Sequence, residues 1–243
     1  MARHSKWHNI QVRKGKQDKN KSATFTKLAR LIMIAARQGG GNLEMNFSLR
    51  LAIEKAKAAN VPKDNIERAV RWGTGELNDE VVLEELVYEG FGPGGAALVV
   101  DIVTDNKNRS AGDIKNVFNK HGGTMAGPGS VQWQFDHVGV ARFAADQLAK
   151  IAGRQDEFEL AVIEAGAVDI TLDAEGGEII TPVEKLKVVV EALESYGLTL
   201  DESGLEWVAK ETVSLPEGDQ EALAGLVEAL EEHDDVKAVY TNV

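Results

Sequence analysis

From Thr24 to Gln38 the apolar residues Phe25, Leu28, Ile32 and Ala35 recur at helical spacing, and Lys27, Arg30 and Arg37 fall on the other side. That pattern predicts an amphipathic helix stopping at Gly39, the residue type that tolerates a left-handed backbone after a helix end. The run Gly39, Gly40, Gly41 reads first as a flexible helix connection, although three glycines also let a backbone approach a ligand closely. A second helix from about Asn46 to near Asn60 turns Leu49, Ala52, Ile53 and Ala56 inward and Arg50, Glu54, Lys55 and Lys57 outward. Pro62 suits the first turn of a third, PKDNIERAVRW, which buries Ile66, Ala69 and Val70 and closes at Gly73. Three short helices with small inward residues predict a three-helix bundle. Its second and third helices have the outline of a helix-turn-helix, an outline many bundles share.

From Val81 the pattern changes to strands. LEELVYE and AALVVDIVTD flank GFGPGG, which matches G-x-G-x-x-G at Gly90, Gly92 and Gly95. A dinucleotide fingerprint needs a helix opening at the last glycine, with its amides free. Here a β-branched run follows and Pro93 removes an amide, so the stretch reads as a turn between strands. Asp105 to Gly123 then predicts a turn and a capped helix with Ile114, Val117 and Phe118 inward, and VQWQFD a return to strand. Further strands are expected at VGVARF, VDITLD, GEIITP, Leu205 to Ala209, TVSLP and VKAVYTNV. Helices are expected around Phe158 to Ala165, from Val183 to Tyr196 and from Gly218 to His233. This alternation predicts mixed α/β domains of split βαβ type.

Charge sharpens the picture. The 243 residues carry net charge −12, yet residues 1–73 hold sixteen Lys/Arg against five Asp/Glu, and residues 74–243 eleven against thirty-four. The excess of base is densest in HSKWHNIQVRKGKQDKNK, where Lys6, Arg13, Lys14, Lys16, Lys19 and Lys21 face one acid, Asp18. Such a segment buries no face of its own; it is solvated or lies along something anionic. A basic head on an acidic body attracts a polyanion at one end and repels it elsewhere, which points to nucleic acid. A phospholipid surface fits less well, because the head has no apolar face and no lipidation motif.

Several classes drop out. The chain has no Cys, which excludes disulfides, thiolate zinc sites and cysteine nucleophiles. No apolar run approaches a membrane span and no secretory signal is present, so a cytoplasmic protein is expected. An enzyme is the rival class. His4 and His8 are four apart, but no third ligand clusters with them and Lys6 disfavours a cation. His121 with Asp113, and the acids Glu84, Glu85 and Glu89, offer in principle an acid–base pair or a magnesium site. The plainer reading makes the acids a charged strand face and His121 a helix-end residue favoured by the dipole. A metal-dependent nucleic-acid-processing enzyme is therefore set aside, and no catalytic residue, metal, cofactor or small-molecule substrate is assigned.

MARHSKWHNIQVRKGKQDKNKSATFTKL, AARQGGG, NVPKDNIERAVRWGTGE, YEGFGPGGAALVVDIVTDNKNRS and KHGGTMAGPGSVQWQF together resemble the YebC family. These are the probable transcriptional regulatory proteins whose mitochondrial relatives activate translation of a cytochrome oxidase subunit. The resemblance runs from end to end and implies an α+β fold: an N-terminal three-helix bundle followed by two ferredoxin-like domains, the third inserted into the second. The implied boundaries are a basic helical domain over 1–77, a ferredoxin-like domain over 80–135 plus 206–243, and an inserted one over 136–205. It also implies a DNA-binding regulator of transcription or, alternatively, a ribosome-associated translation factor that binds ribosomal RNA.

Carried onto this chain, the resemblance implies Lys6, Arg13, Lys14 and Lys16 as phosphate contacts, supported by Lys19, Lys21 and Lys27. Trp7 is expected either to stack on an unpaired base or to anchor the segment on the bundle. Arg37, Arg68 and Arg71 extend the patch if their helices face the same way. The chain departs from the family pattern at Arg3, at Gln11 and Val12, which remove positive charge beside Arg13, and at Trp72.

Overall fold

The computed structural model describes residues 21–77 and 83–243. These residues divide into two units, 21–77 and 83–136 with 208–243, and 137–207.

The first unit begins with three helices, α1 (Lys21–Gly39), α2 (Phe47–Ala58) and α3 (Lys63–Gly73). The predicted periodicity is realised: Leu28, Ile32, Ala35, Leu49, Ile53, Ala56, Ile66 and Ala69 form one buried cluster. Small residues let the helices approach closely. A Cβ at Gly73 would collide with the Met33 carbonyl and the Ala36 side chain, so the C-terminal ends of α1 and α3 meet where α3 offers only backbone.

The glycine link is not slack. Asn46 is 5% exposed and its side-chain amide donates to the carbonyls of Ala35 and Gly40, both at 2.7 Å. Its Oδ1 accepts the Leu49 N–H at 3.0 Å, capping α2. Gly40 takes φ +78, and a Cβ at Gly39 would lie 2.6 Å from the Asn46 side chain. The close approach that three glycines permit is thus used by Asn46.

Strands β1 (Glu84–Phe91), β2 (Ala97–Thr104), β3 (Thr124–Ala126) and β8 (Val236–Thr241) form an antiparallel sheet in the order β3-β1-β2-β8. Strand β2 is buried along its whole length. Its Leu98, Val100 and Ile102 pack with Ile114 and Phe118 of α4 (Lys107–Lys120) and with Leu223, Leu226 and Leu230 of α7 (Glu217–Glu231). Each such side chain, fully withdrawn from water, contributes roughly 1.5–3 kcal/mol.

The chain enters the second unit along β4 (Phe135–Ala144) and leaves it along β7 (Glu202–Ala209). With β5 (Asp169–Asp173) and β6 (Gly176–Thr181) these strands make a second sheet, ordered β5-β6-β4-β7. Helices α5 (Gln155–Ala165) and α6 (Leu186–Ser195) supply Phe158, Val162, Val189 and Leu193 to its core. Phe158 meets Phe143 edge-on at 6.4 Å and Tyr196 at 5.3 Å. Arg142 of β4 pairs with Glu178 (2.7 Å), Glu206 (2.6 Å) and Glu202 (3.4 Å). Burial works against the Arg142 charge, but the Glu206 hydrogen bonds and the three carboxylates outweigh it and raise its pKa.

The fold is therefore α+β, helices first and two antiparallel sheets after. GFGPGG is the turn expected between β1 and β2. Two local readings differ, and one short strand has no reading in the sequence. TVSLP forms no strand: Pro216 caps α7, and the residues before it join no ladder. In VQWQFD a short 3-10 turn occupies Gln132–Gln134 and the strand starts only at Phe135. Thr124–Ala126 pairs with β1 as a three-residue strand too short to show a period.

Candidate nucleic-acid interface

Lys6, Trp7, Arg13, Lys14, Lys16 and Lys19 lie outside the described residues, as do His4 and His8; Lys21 opens α1. The remaining predicted cations fall into two groups. Arg37, in the last turn of α1, and Arg68 and Arg71, on α3, are exposed. Because Gly73 sits against Met33 and Ala36, the ends of α1 and α3 that carry Arg37 and Arg71 lie together. Arg71 Nε is shared with Glu76 at 3.4 Å, whereas Arg37 and Arg68 form no ion pair among the described residues.

Lys27 does not face outward with them. It is half-buried, and its ammonium donates to the Glu231 carbonyl at the end of α7. Burial pushes its pKa below the ordinary lysine range, against the pull of Glu231 and Asp234. Arg30, one turn on, donates to the Asp234 carbonyl at 2.9 Å and to Asp235 Oδ1 at 2.5 Å. The reason is geometric: this flank of α1 is covered by the end of α7 and the start of β8, and a cavity of about 160 Å³ lined by Lys27, Arg30, Leu31, Lys55, Asp234 and Lys237 remains between them.

Asp235 is the centre of this contact, and the sequence reading missed it. Its carboxylate, 2% exposed, also accepts from Ser110 Oγ (2.6 Å), Arg109 Nη2 (3.0 Å) and Thr104 Oγ1 (3.2 Å). Burial alone would raise its pKa; the Ser110, Arg109 and Arg30 contacts reverse that and hold it at about 2. No local pattern in HDDVK distinguishes Asp235 from the exposed acids around it, because its partners lie more than a hundred residues away.

The α1–α2 loop is a second feature with no signal in the periodicity. Asn42 accepts at its carbonyl from the N–H groups of Met45 (3.3 Å) and Asn46 (2.8 Å), and at its side chain from Glu44 N–H (2.9 Å). The loop so fixed leaves Leu43 42% and Met45 82% exposed. Just beyond it, the Arg50 guanidinium lies 5.1 Å from the Phe47 ring centroid.

The acids considered for chemistry divide differently from expectation. Glu84 and Glu85 are exposed, but Glu89 is buried at 3% exposure, not part of a charged strand face. It accepts the N–H groups of Gly129 (2.6 Å), Val131 (2.7 Å) and Gln132 (2.9 Å). Burial would raise its pKa and these amides more than reverse it, so it stays ionised below the ordinary range. Its work is to hold the loop whose next residue, Trp133, is 67% exposed with its indole N–H on the Ser130 carbonyl. Asp113 lies 3.6 Å from His233, and His121 ends α4 exposed. Among the described residues no group of three or more His, Asp or Glu could hold a metal ion, and no helix is long and apolar enough to cross a membrane.

The charge of the second unit is one-sided: residues 137–207 hold fifteen Asp/Glu and five Lys/Arg. Residues 21–73 hold ten Lys/Arg and four Asp/Glu.

Residues 5–76 match the model of the TACO1/YebC N-terminal domain, and residues 83–243 that of the TACO1/YebC second and third domain. A protein from Thermoanaerobacter pseudethanolicus named "Probable transcriptional regulatory protein" is 45% identical over 243 residues, spanning all of this chain and 97% of the relative. One of the same name from Persephonella marina is 46% identical over 246 residues, spanning all of this chain and 95% of the relative. The crystal structure of a conserved hypothetical protein from Aquifex aeolicus superposes with a TM-score of 0.84 at 39% identity, covering 98% of this chain and 96% of that one.

Proposed function

The chain belongs to the TACO1/YebC family, and from that premise we propose that it is a non-enzymatic regulator of transcription that binds duplex DNA through its basic first domain. The observation that carries the reading is the polarity of charge. A +6 balance over residues 21–73, continued by a strongly basic segment before it, adjoins a chain whose remaining residues are acidic. Lys and Arg neutralise phosphate without reading sequence, and the acidic remainder keeps the polyanion at one end. The names of the relatives support the regulatory assignment.

The test is the salt dependence of binding to a short duplex. Exchanging Lys6, Arg13, Lys14 and Lys16 together for Ala is expected to weaken binding and reduce the slope of log K against log salt by up to about 3.6, near 0.9 for each phosphate no longer neutralised. A slope unchanged in that variant sinks the assignment.

A second reading, a ribosome-associated translation factor on ribosomal RNA, is favoured by one observation. The outward face of α3 mixes Asp64 and Glu67 with Lys63, Arg68 and Arg71, and Lys63 is paired with Glu67 at 3.4 Å. A helix reading base edges in the major groove is poorly served by two acids in its first turns. Co-sedimentation with ribosomes at near-physiological salt, with excess duplex DNA as competitor, separates the readings. Retention despite the DNA selects the ribosome, and loss to a particular DNA sequence but not to scrambled duplex selects transcription.

A further inference from the structure

A single exposed Leu or Met is ordinary on a protein surface. Leu43 and Met45 differ because the backbone that carries them is fixed. Asn46 ties the loop to α1 through Ala35 and to Gly40, and Asn42 closes its tip with three hydrogen bonds. The pair therefore cannot fold back onto the bundle, and it stands in water at 42% and 82% exposure.

The surroundings say what such a pair meets. The loop leaves α1 two residues after Arg37, and Gly41 packs beside Val70 and Thr74, next to the end of α3 that carries Arg71. Two apolar side chains thus project from the meeting point of two helix ends, where Arg37 forms no ion pair among the described residues and Arg71 is shared with Glu76 at 3.4 Å. An apolar partner flanked by negative charge on both sides is what a base step presents: stacked faces inside, phosphates outside. Glu44, between the two, is exposed and anionic. Repelled by phosphate oxygens, it is accommodated on the major-groove side, where the adenine N6 and cytosine N4 amino groups donate, since the minor-groove floor of A·T pairs offers acceptors alone.

We propose that Leu43 and Met45 form a rigid apolar wedge that enters between adjacent base pairs of duplex DNA while Arg37 holds the flanking phosphate. The inference rests on the DNA-binding reading above and adds its mode: partial unstacking and a kink at the point of entry, made where the step deforms easily. Pyrimidine–purine steps such as TA are the preferred targets. A wedge fixed before binding loses little freedom when it inserts, which is the use of a loop locked by Asn42 and Asn46.

The test uses the full chain and two 20-base-pair duplexes, one with a central TA step carrying 2-aminopurine and one with an A-tract in its place. The wild-type protein is expected to raise 2-aminopurine fluorescence at the TA step and to bind that duplex more tightly. The double variant Leu43→Ser, Met45→Ser is expected to lose the fluorescence rise and about tenfold in affinity for the TA duplex, with its salt slope unchanged because every phosphate-binding cation is still present. Met45→Leu keeps both signals. A double variant that binds and unstacks like wild type overturns the wedge while leaving DNA binding in place. So does one whose defect appears on an RNA hairpin and not on DNA, or only as a change in self-association. If the wild type shows no salt-dependent binding to either duplex, the wedge falls together with the DNA-binding reading, an outcome distinct from the others.

Discussion

Arg30 Nη1 lies 2.5 Å from Asp235 Oδ1, joining the first described helix to the residue before the last strand, 205 positions away. Asp235 is withdrawn from water and Arg30 nearly so, at 2% and 19% side-chain exposure. Removing one partner of a buried pair leaves the other charge uncompensated. Asp235→Ala is accordingly expected to destabilise the first unit by about 3 kcal/mol, read as a lower urea midpoint. A loss below half of that would mean that Arg30 and Arg109 find other acceptors.

The same carboxylate sets an acid limit. Its folded pKa of about 2 lies below the unfolded value, about 3.9. A depressed carboxylate pKa stabilises above the unfolded value, and that contribution is lost as pH falls through the folded one. Wild-type stability is expected to decline between about pH 4 and pH 2, and Asp235→Asn to flatten that stretch of the curve. Thermal melts at half-unit pH intervals decide it.

Glu89→Gln exchanges an acceptor-only carboxylate for an amide that presents donors to three backbone N–H groups. The expected loss is about 2 kcal/mol, and hydrogen exchange at the amides of Gly129, Val131 and Gln132 should accelerate. If exchange there is unchanged, the carboxylate is not what holds the loop.

Two glycine-to-alanine changes should move in opposite directions. At Gly73 a methyl group collides with α1, and a loss of about 1–3 kcal/mol is expected. At Gly112, exposed within α4 and facing open space, Ala should add roughly 0.5–1 kcal/mol. Paired chemical denaturation curves suffice to check both signs.

The two groups of cations are separable by salt titration of DNA binding. Arg37→Ala should lower the salt slope by about 0.9, and Lys27→Ala should leave it unchanged, since the Lys27 ammonium is engaged by the Glu231 carbonyl. A reduced slope for Lys27→Ala would return that residue to the interface.

What was legible in the sequence was what local period and punctuation control. The inward faces of α1, α2 and α3, the α4 cap and the β1–β2 turn are fixed by spacing, by Asn106 and by Pro93 with its glycines, all within a few residues of where they act. What failed depends on partners far along the chain. Lys27 and Arg37 share the polar flank of one helical pattern, and only the arrival of α7 separates them. Glu89 sits among strand acids and is buried because a loop forty residues later brings three amides to it. The glycine run looked slack because glycine alone signals freedom, while its restraint comes from the side chain of Asn46.

The bond between Arg30 and Asp235 also has a consequence in time. A ribosome completes the three helices more than 150 residues before it reaches Asp235, and β2 (Ala97–Thr104), which lies between β1 and β8 in the sheet, must also wait until Val236 for its last neighbour. Through most of synthesis the basic helices have no seat, and pairings of such long range close slowly once they become possible. Arg30 and Lys27 stay available to any nearby polyanion until the final strand emerges, so a nascent chain presents a broader cationic surface than the finished protein.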